Sequence, residues 1–427
     1  MKIISADRFG GNFPKVIKNT SATIFIRGCF GIARILLLLL IARKFGPNDF
    51  GALSLALSFV EIFKVVADFG VDTVILRRFV INRLLSERLL GNALTLKILS
   101  ATIAYIITNI LCWLIYKNAS ACQLLLIIAA SLYTTLFVNA FVSYFQANLN
   151  TVNIIAPNVI SMLIYAALTL FGFYFNWSLI ALVFIIPLSE LINLLATAKV
   201  YSSMSSIRLC LDKKIVWSIV RDSLPVGIAG IIVVLYSRLD ILMIGWFMGQ
   251  KQVGEYAFAY RMTEPFLLLF SSLSISVYAF FSGFSKPADL LKVRQKIMQV
   301  MTPVVIVSGA CALALSLSAK WVTKLISNQY GESAGVLPVL AWAIVFKAVN
   351  AQLTAFINSK GKYRFITVVA VNNLIINVIL NLLLIPGFGL RGAALAVVLT
   401  EAINTVIQSG CIAYLFSFSL RGAKESG

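Results

Sequence analysis

Two arginines, Arg27 and Arg34, lie inside the first hydrophobic run of the chain, which extends from about residue 16 to 41. At ~1.5 Å of helix per residue, each arginine lies roughly 10–15 Å or more from the nearer end of that run. A guanidinium at that depth costs at least ~3 kcal/mol unless it faces a wet cavity or a partner. The two side chains share one helix face and could bind a phosphate or an acidic sugar, or pair with a carboxylate such as Glu401 or Asp240.

Further charged residues recur inside later hydrophobic runs. The other cations that we expect to contact a substrate are Lys64, Arg238 and Arg261. The candidates for ion pairing, or for coupling to an ion gradient, are Glu61, Asp240, Glu264, Lys347 and Glu401. Arg261 and Glu264 are three residues apart and could neutralise each other on one helix face. A membrane protein that keeps cations inside its spans is expected to use them on an anion.

Composition indicates an all-α integral membrane protein. The chain has 427 residues, is 60% hydrophobic and has a mean hydropathy of +0.94, and its long uncharged runs far exceed the ~10 residues of a barrel strand. The net charge of +20 does not indicate nucleic-acid binding, because the basic residues are spread over short loops between the runs. The chain has no histidine, which excludes histidine-based catalysis and most zinc or haem chemistry. We predict neither catalytic residues nor metal ligands.

The hydropathy pattern predicts twelve membrane spans. Their approximate bounds are 16–41, 50–67, 90–116, 122–145, 153–175, 178–198, 217–247, 253–281, 297–318, 335–358, 364–385 and 389–417. About three times as many lysines and arginines fall on one side of the membrane as on the other, which predicts that both termini are cytoplasmic. The connecting loops are short and leave no room for an extramembrane catalytic domain.

An internal repeat divides the chain into two similar halves. Residues 45–56 read FGPNDFGALSLA and residues 248–259 read MGQKQVGEYAFA, so that a shift of ~203 residues superposes two glycines and an alanine. Each segment follows the first span of a half. The repeat predicts an N-terminal lobe over 1–205 and a C-terminal lobe over 206–427, each with six spans in the same orientation around a central cleft. The same shift brings Arg34 to within one residue of Arg238.

Four motifs together resemble a known family. They are IARKFGPNDFGALSLA at 41–56, DFGVDTVILRR at 68–78, SRLDILMIGWFMGQKQVGEYAFAYRMTE at 237–264 and PGFGLRGAALAVVLTE at 386–401. In this order they resemble the polysaccharide flippases of the O-antigen (Wzx) group. That group belongs to the multidrug/oligosaccharidyl-lipid/polysaccharide exporter superfamily. The resemblance covers essentially the whole chain.

The resemblance implies a flippase rather than an enzyme. Its substrate would be an undecaprenyl-pyrophosphate-linked oligosaccharide, moved by alternating access from the cytoplasmic to the periplasmic leaflet of a bacterial inner membrane. The implied partners are that lipid-linked oligosaccharide, the phospholipid membrane and, as candidates, the polymerase and chain-length regulator of the same pathway. No nucleic acid and no cofactor are expected, although a proton or sodium gradient could drive transport.

Two other functions remain open from the sequence. A multidrug extruder of the same fold would need a more acidic and aromatic site for cationic drugs, whereas this chain carries seven lysines and arginines within its spans. A membrane polymerase of lipid-linked sugars would need catalytic residues at a water-exposed face, commonly on a large outward loop. The asparagine stripe of Asn373, Asn377 and Asn381 could either bind sugar hydroxyls or join neighbouring helices.

Overall fold

The computed structural model of the protein consists of helices. The structure describes residues 13–81, 86–116, 119–148, 150–283 and 290–425, with the backbone alone for 13–27, 116, 119, 290–294 and 415–425. In this part of the chain the α-helices are α1 (Phe13–Asp68), α2 (Val71–Ile81), α3 (Ser86–Tyr116), α4 (Ala119–Ala129), α5 (Ser131–Ala147), α6 (Ile155–Tyr174), α7 (Leu179–Ser202), α8 (Lys213–Met248), α9 (Gln250–Ser282), α10 (Leu290–Ile326), α11 (Ser333–Ser359) and α12 (Tyr363–Glu425). A short 3-10 helix, Thr151–Ile154, precedes α6.

Ten helical stretches in the described residues are long and apolar enough to cross a membrane, and two of them are long enough to cross it twice. The apolar parts of α1 and α12 have 41 and 52 residues, whereas ~20 residues span the ~30 Å of hydrocarbon. A glycine with non-helical backbone angles divides each one, Gly46 in α1 and Gly389 in α12. Counting each as two spans gives the twelve predicted from hydropathy and confirms the prediction of an all-α membrane protein.

The described residues form two compact units that do not follow chain order. Unit 1 comprises Met1–Leu37 and Ala56–Ile231, and unit 2 comprises Leu38–Leu55 and Ile232–Gly427. The middle of α1 therefore belongs to unit 2, although the residues on both sides of it belong to unit 1. The predicted lobes, 1–205 and 206–427, stay a prediction.

Unit 1 has an aromatic core around α2. Phe79 of α2 is fully buried, as are Phe145 of α5 and Tyr201 of α7. The Tyr201 ring lies 5.1 Å from the ring of Phe141, which belongs to the same cluster. Large apolar side chains elsewhere in the unit are exposed, such as Trp113 on α3. Exposed apolar side chains on such a protein are suited to contact with lipid. Polar groups that are buried between the helices are therefore the ones whose role needs an explanation.

The two repeat segments adopt the same backbone conformation. Gly46 has φ 78° and Gly249 has φ 91°, in a region that favours glycine because other residues meet steric resistance there. Each glycine stands between the end of one span and the start of the next. The two repeat segments are therefore similar in backbone geometry as well as in sequence.

Within unit 2 the repeat segments also pack against each other reciprocally. A Cβ atom on Gly51 would lie 1.8 Å from the carbonyl oxygen of Gln250, and one on Gly254 would lie 1.8 Å from the carbonyl oxygen of Pro47. The repeat pairs Gly51 with Gly254 and Pro47 with Gln250, so the two contacts are equivalent. We call residues 46–51 and 249–254 the paired turns. Their backbones approach so closely that only glycine fits at either position.

A similar close approach follows the break in α12. A Cβ atom on Gly392 would lie 2.1 Å from the carbonyl oxygen of Leu384, and the next residues, Ala393 and Ala394, are fully buried. The glycines and alanines of this segment therefore serve a turn and tight helix packing.

Candidate functional site

Arg34 lines a polar pocket in unit 1. The pocket has a volume of about 270 Å³ and lies between α1, α6 and α7. Its lining residues are Phe30, Gly31, Arg34, Asn158, Ser161, Met162, Tyr165, Ser189, Glu190 and Asn193. We call this cavity the Arg34 pocket. Apart from Phe30, Gly31 and Met162, every lining residue carries a polar side-chain group, which is unusual for a cavity between hydrophobic helices.

The arginine in this pocket is not tightly paired. The nearest distance from the Arg34 guanidinium to the Glu190 carboxylate is 3.8 Å, from Nη1 to Oε1, which is too long for a hydrogen bond. About half of the Arg34 side chain is exposed (49%), compared with 21% of the Glu190 side chain. The carboxylate therefore offsets the charge of the guanidinium, while the exposed half of the Arg34 side chain leaves N–H donors accessible to an anion.

Amide and hydroxyl groups on α6 and α7 complete the lining of the pocket. Asn193 donates a hydrogen bond from Nδ2 to Oδ1 of Asn158 (3.1 Å), and Ser161 donates from Oγ to the Ser189 carbonyl oxygen (2.7 Å). These bonds hold α6 and α7 together and fix the direction of the amides. Asparagine and glutamate beside an arginine provide donors and acceptors for sugar hydroxyls together with a cation for a negative group.

The sequence predicted Arg34 as a site residue but not the partners that form its pocket. Asn158 and Ser161 on α6, and Ser189 and Asn193 on α7, are three or four residues apart and so lie on one face of their helices. Polar residues at helical spacing within the fifth and sixth spans were therefore a visible signal. We predicted site residues from charges within the spans, which identified Arg34 but overlooked Glu190, a charge within the sixth span.

In unit 2 two predicted cations converge on one carboxylate. Arg261 donates from Nη1 to both carboxylate oxygens of Glu264, at 2.9 Å to Oε1 and 2.8 Å to Oε2. Arg238 Nη1 lies 4.0 Å from Glu264 Oε1. The three side chains are each 12–16% exposed. The predicted pairing of Arg261 with Glu264 is thus present, and the group of three carries one net positive charge.

The predicted acids of unit 2 accept hydrogen bonds between helices. Asp240 Oδ2 accepts from the Tyr256 hydroxyl at 2.6 Å, which joins α8 to α9. Glu401 on α12 accepts from the Tyr236 hydroxyl (2.6 Å) and from Nδ2 of Asn350 (2.7 Å). Both acids are almost fully buried. They act as acceptors in interhelical networks, and no pattern in the sequence indicated these tyrosine partners.

Four predicted residues remain: Lys347, Glu61, Lys64 and Arg27. Lys347 donates to the Tyr260 hydroxyl at 3.3 Å, and its Nζ lies 5.1 Å from the centre of that ring. Glu61 and Lys64 are half-buried on α1 in unit 1. The side chain of Arg27 lies outside the described residues.

The asparagine stripe of α12 faces the interior of unit 2. Asn373, Asn377 and Asn381 are all buried, and Asn381 donates from Nδ2 to both oxygens of Asn377, the carbonyl at 2.9 Å and the side-chain oxygen at 3.0 Å. This geometry agrees with a packing role rather than with sugar binding.

The chain resembles known proteins both in sequence and in fold. Residues 16–285, well over half of the chain, match the family described as polysaccharide biosynthesis protein, and residues 225–383 match the MatE family. One relative is a probable low-salt glycan biosynthesis flippase, Agl15 of Haloferax volcanii, which is 27% identical over 184 residues. That alignment covers 43% of this chain and 38% of Agl15, so the matched segment spans about two fifths of the relative's length.

The fold is shared with solved transporters at low sequence identity. The lipid II flippase MurJ, in an inward closed conformation, superposes with a TM-score of 0.75 at 14% identity, over 93% of this chain and 87% of MurJ. An inward-facing multidrug resistance MATE family transporter of the MOP superfamily superposes with a TM-score of 0.73 at 14% identity, over 92% of this chain and 96% of the transporter. The family resemblance predicted from the sequence is confirmed: the chain belongs to the family described as polysaccharide biosynthesis protein.

Proposed function

We propose that this protein is a flippase for a lipid-linked oligosaccharide. The substrate in this proposal is an undecaprenyl-pyrophosphate-linked repeat unit of O-antigen type, carried by alternating access from the cytoplasmic leaflet to the outer leaflet of a bacterial inner membrane. Both termini are cytoplasmic in this arrangement, in agreement with the charge bias of the loops. The family match and the flippase relative support the activity, and the exporter fold supports the mechanism.

The observation that carries the proposal is the composition of the Arg34 pocket. A lipid-linked oligosaccharide presents a pyrophosphate and many hydroxyl groups, so its transporter needs an open cation beside neutral donors and acceptors. Arg34 supplies the cation, and Asn158, Asn193 and Ser161 supply the neutral polar groups. The cations Arg238 and Arg261 in unit 2 would add a second binding region for the negative part of the substrate. We assign supporting roles in substrate binding to Arg27 and Lys64 as well.

The proposal predicts that Arg34→Ala removes transport while the protein still accumulates in the membrane. Purified protein in lipid vesicles would be given a labelled undecaprenyl-pyrophosphate oligosaccharide, and flipping would be measured as protection from a membrane-impermeant sugar oxidant. Arg34→Lys should retain part of the activity, because lysine binds phosphate only as a point charge. Arg43→Ala is the matched control, since Arg43 is an exposed arginine on the same helix and does not line the pocket. Normal flipping by Arg34→Ala would contradict the proposal.

A multidrug extruder is the second candidate, because residues 225–383 match the MatE family. Such a protein would export a cationic dye, and a pocket containing Arg34 is poorly suited to a cation. The same vesicles can be tested with ethidium. Export of ethidium without oligosaccharide flipping would favour the extruder over the flippase.

A further inference from the structure

A fully buried lysine in unit 1 is held by two carboxylates. Lys97 on α3 donates from Nζ to Asp68 Oδ1 (2.8 Å), to Asp72 Oδ1 (2.6 Å) and to the carbonyl oxygen of Leu136 on α5 (3.0 Å). Its ammonium group has three donors, so all of them are used. The Lys97 side chain has no exposed surface, whereas those of Asp68 and Asp72 are 18% and 20% exposed. The cluster does not include any residue that lines the Arg34 pocket.

The charges of this cluster do not balance. Two ionised carboxylates and one ammonium leave one net negative charge in a largely buried place, which is costly. Two carboxylates that share one site also oppose each other's ionisation. A single proton would neutralise the cluster and would keep the hydrogen bonds of Lys97. Because the carboxylates have exposed edges and Lys97 has none, a proton can reach the acids from water but not the ammonium.

The other charged groups near the cluster do not neutralise it. The next charged residues along the packed helices are Lys64 on α1, Arg77 and Arg78 on α2, Arg88 on α3, and Arg221 and Asp222 on α8, and α5 contains no Asp, Glu, Lys or Arg. Arg77 and Arg221 are exposed, and Arg88 pairs with Asp212. Arg78 Nη2 already donates to Asp222 Oδ2 at 2.6 Å. Asp72 lies on α2, outside the membrane-spanning helices, and burial raises the pKa of its carboxyl to about 7, an effect that Lys97 opposes and Asp68 increases.

The carboxylates flank a tight turn that packs against another helix. Between them lie Phe69 with φ 46° and Gly70 with φ 79°, both left-handed. A Cβ atom on Gly70 would lie 2.9 Å from the backbone nitrogen of Gly227 on α8, and a Cβ atom on Gly227 would lie 2.5 Å from the Phe69 carbonyl oxygen. A change in the hydrogen bonds of Asp68 or Asp72 is therefore expected to change the contact between this turn and α8.

We propose that Asp68 and Asp72 form a proton-binding site, with Lys97 as its fixed counter-charge. One carboxylate takes a proton from water at its exposed edge, and the resulting O–H donates to the other carboxylate, so that only a proton is transferred and no bond to carbon changes. The proton binding is independent of the substrate. Its use in driving transport rests on the proposed flippase function, in which α8 would respond to the turn.

Infrared difference spectra of the full-length protein in lipid nanodiscs test the proton binding itself. Between pH 5 and pH 9 the wild type should gain a protonated-carboxyl band on acidification, with a midpoint near pH 7. Asp72→Asn should lose that band, whereas Asp222→Asn, which changes an exposed carboxylate on α8, should keep it. If Asp72→Asn does not accumulate, Asp68→Asn serves as the second variant and should also lose the band. A wild-type spectrum without the band would overturn the site, whether or not the protein flips lipids.

The coupling role is tested separately in vesicles with an imposed pH gradient. Flipping of the labelled oligosaccharide by the wild type should depend on the gradient, and Asp72→Asn should lose that dependence while Asp222→Asn retains it. A protein that shows the infrared band but flips equally well without a gradient would overturn the coupling role and leave the proposed function intact. Absence of flipping by every form, with the band present, would instead count against the proposed function.

Discussion

Gly51→Ala should prevent the protein from accumulating in a folded form. A Cβ atom at this position would lie 1.8 Å from the Gln250 carbonyl oxygen and 2.9 Å from the Gly254 backbone nitrogen, so the paired turns would have to separate. Both obstacles are backbone atoms, which cannot move aside as a flexible side chain could. The cost should therefore exceed the ~1–3 kcal/mol that is typical of an overfilled core. Membrane content and the melting temperature of the purified protein are the measurements.

Because the paired turns pack reciprocally, a substitution in the second turn should have the same effect. Gly254→Ala should behave like Gly51→Ala, because its Cβ atom would meet the Pro47 carbonyl oxygen at the same distance of 1.8 Å. Gly309→Ala is the matched control, since that glycine also lies within a helix of unit 2 and a Cβ atom there meets no atom within 4 Å. A Gly51→Ala protein that melts like Gly309→Ala would contradict the close approach of the paired turns.

Arg261→Met should also destabilise the protein strongly. It would leave Glu264, which is 15% exposed, with only the more distant Arg238 as a counter-charge at 4.0 Å. Removal of one member of a buried ion pair typically costs ~3–5 kcal/mol. Here Glu264 would lose both short hydrogen bonds from Arg261, at 2.9 and 2.8 Å, while Arg238 Nη1 lies 4.0 Å away. The melting temperature should therefore fall well below that of Arg391→Met, which changes an exposed arginine of unit 2.

A double substitution separates the charge effect from a role in transport. Arg261→Met with Glu264→Leu removes both members of the hydrogen-bonded pair and should recover part of the lost melting temperature, because Arg238 then loses the carboxylate that lies 4.0 Å away. If the double variant is stable but does not flip the oligosaccharide, the Arg261–Glu264 pair has a role in transport beyond its role in stability. An Arg261→Met protein that melts like the wild type would show that the pair contributes little to the stability of unit 2.

Most of the fold could be predicted from the sequence because a membrane restricts the alternatives. Every backbone polar group within a bilayer needs an internal partner, so a long apolar run there becomes a helix, and hydropathy gives the spans. The repeat located the turns at Gly46 and Gly249, and the spacing of Arg261 and Glu264 predicted their pairing. These features depend on residues that lie close together in the sequence or that share one repeated pattern.

The candidate site was predictable only in part, because its contacts join distant segments. Arg34 stood out by its charge, but its neighbour Glu190 lies five spans later, and no sequence pattern connects the two. Lys97 was visible as a charge in a span, yet its partners Asp68 and Asp72 lie on a different helix and across a turn. The helical spacing of Ser189 and Asn193 was available, although neutral polar residues in a span more often join helices than bind ligands.

The division of α1 between the two units has a consequence for how the protein is made. Residues 38–55 belong to unit 2, yet the paired turn that Gly51 needs is synthesised about 200 residues later. At ~5–20 residues per second, the ribosome needs about 10–40 s to reach it. During that interval residues 38–55 must remain without the segment against which they pack, so an insertion chaperone that shields this stretch of the nascent chain would assist folding.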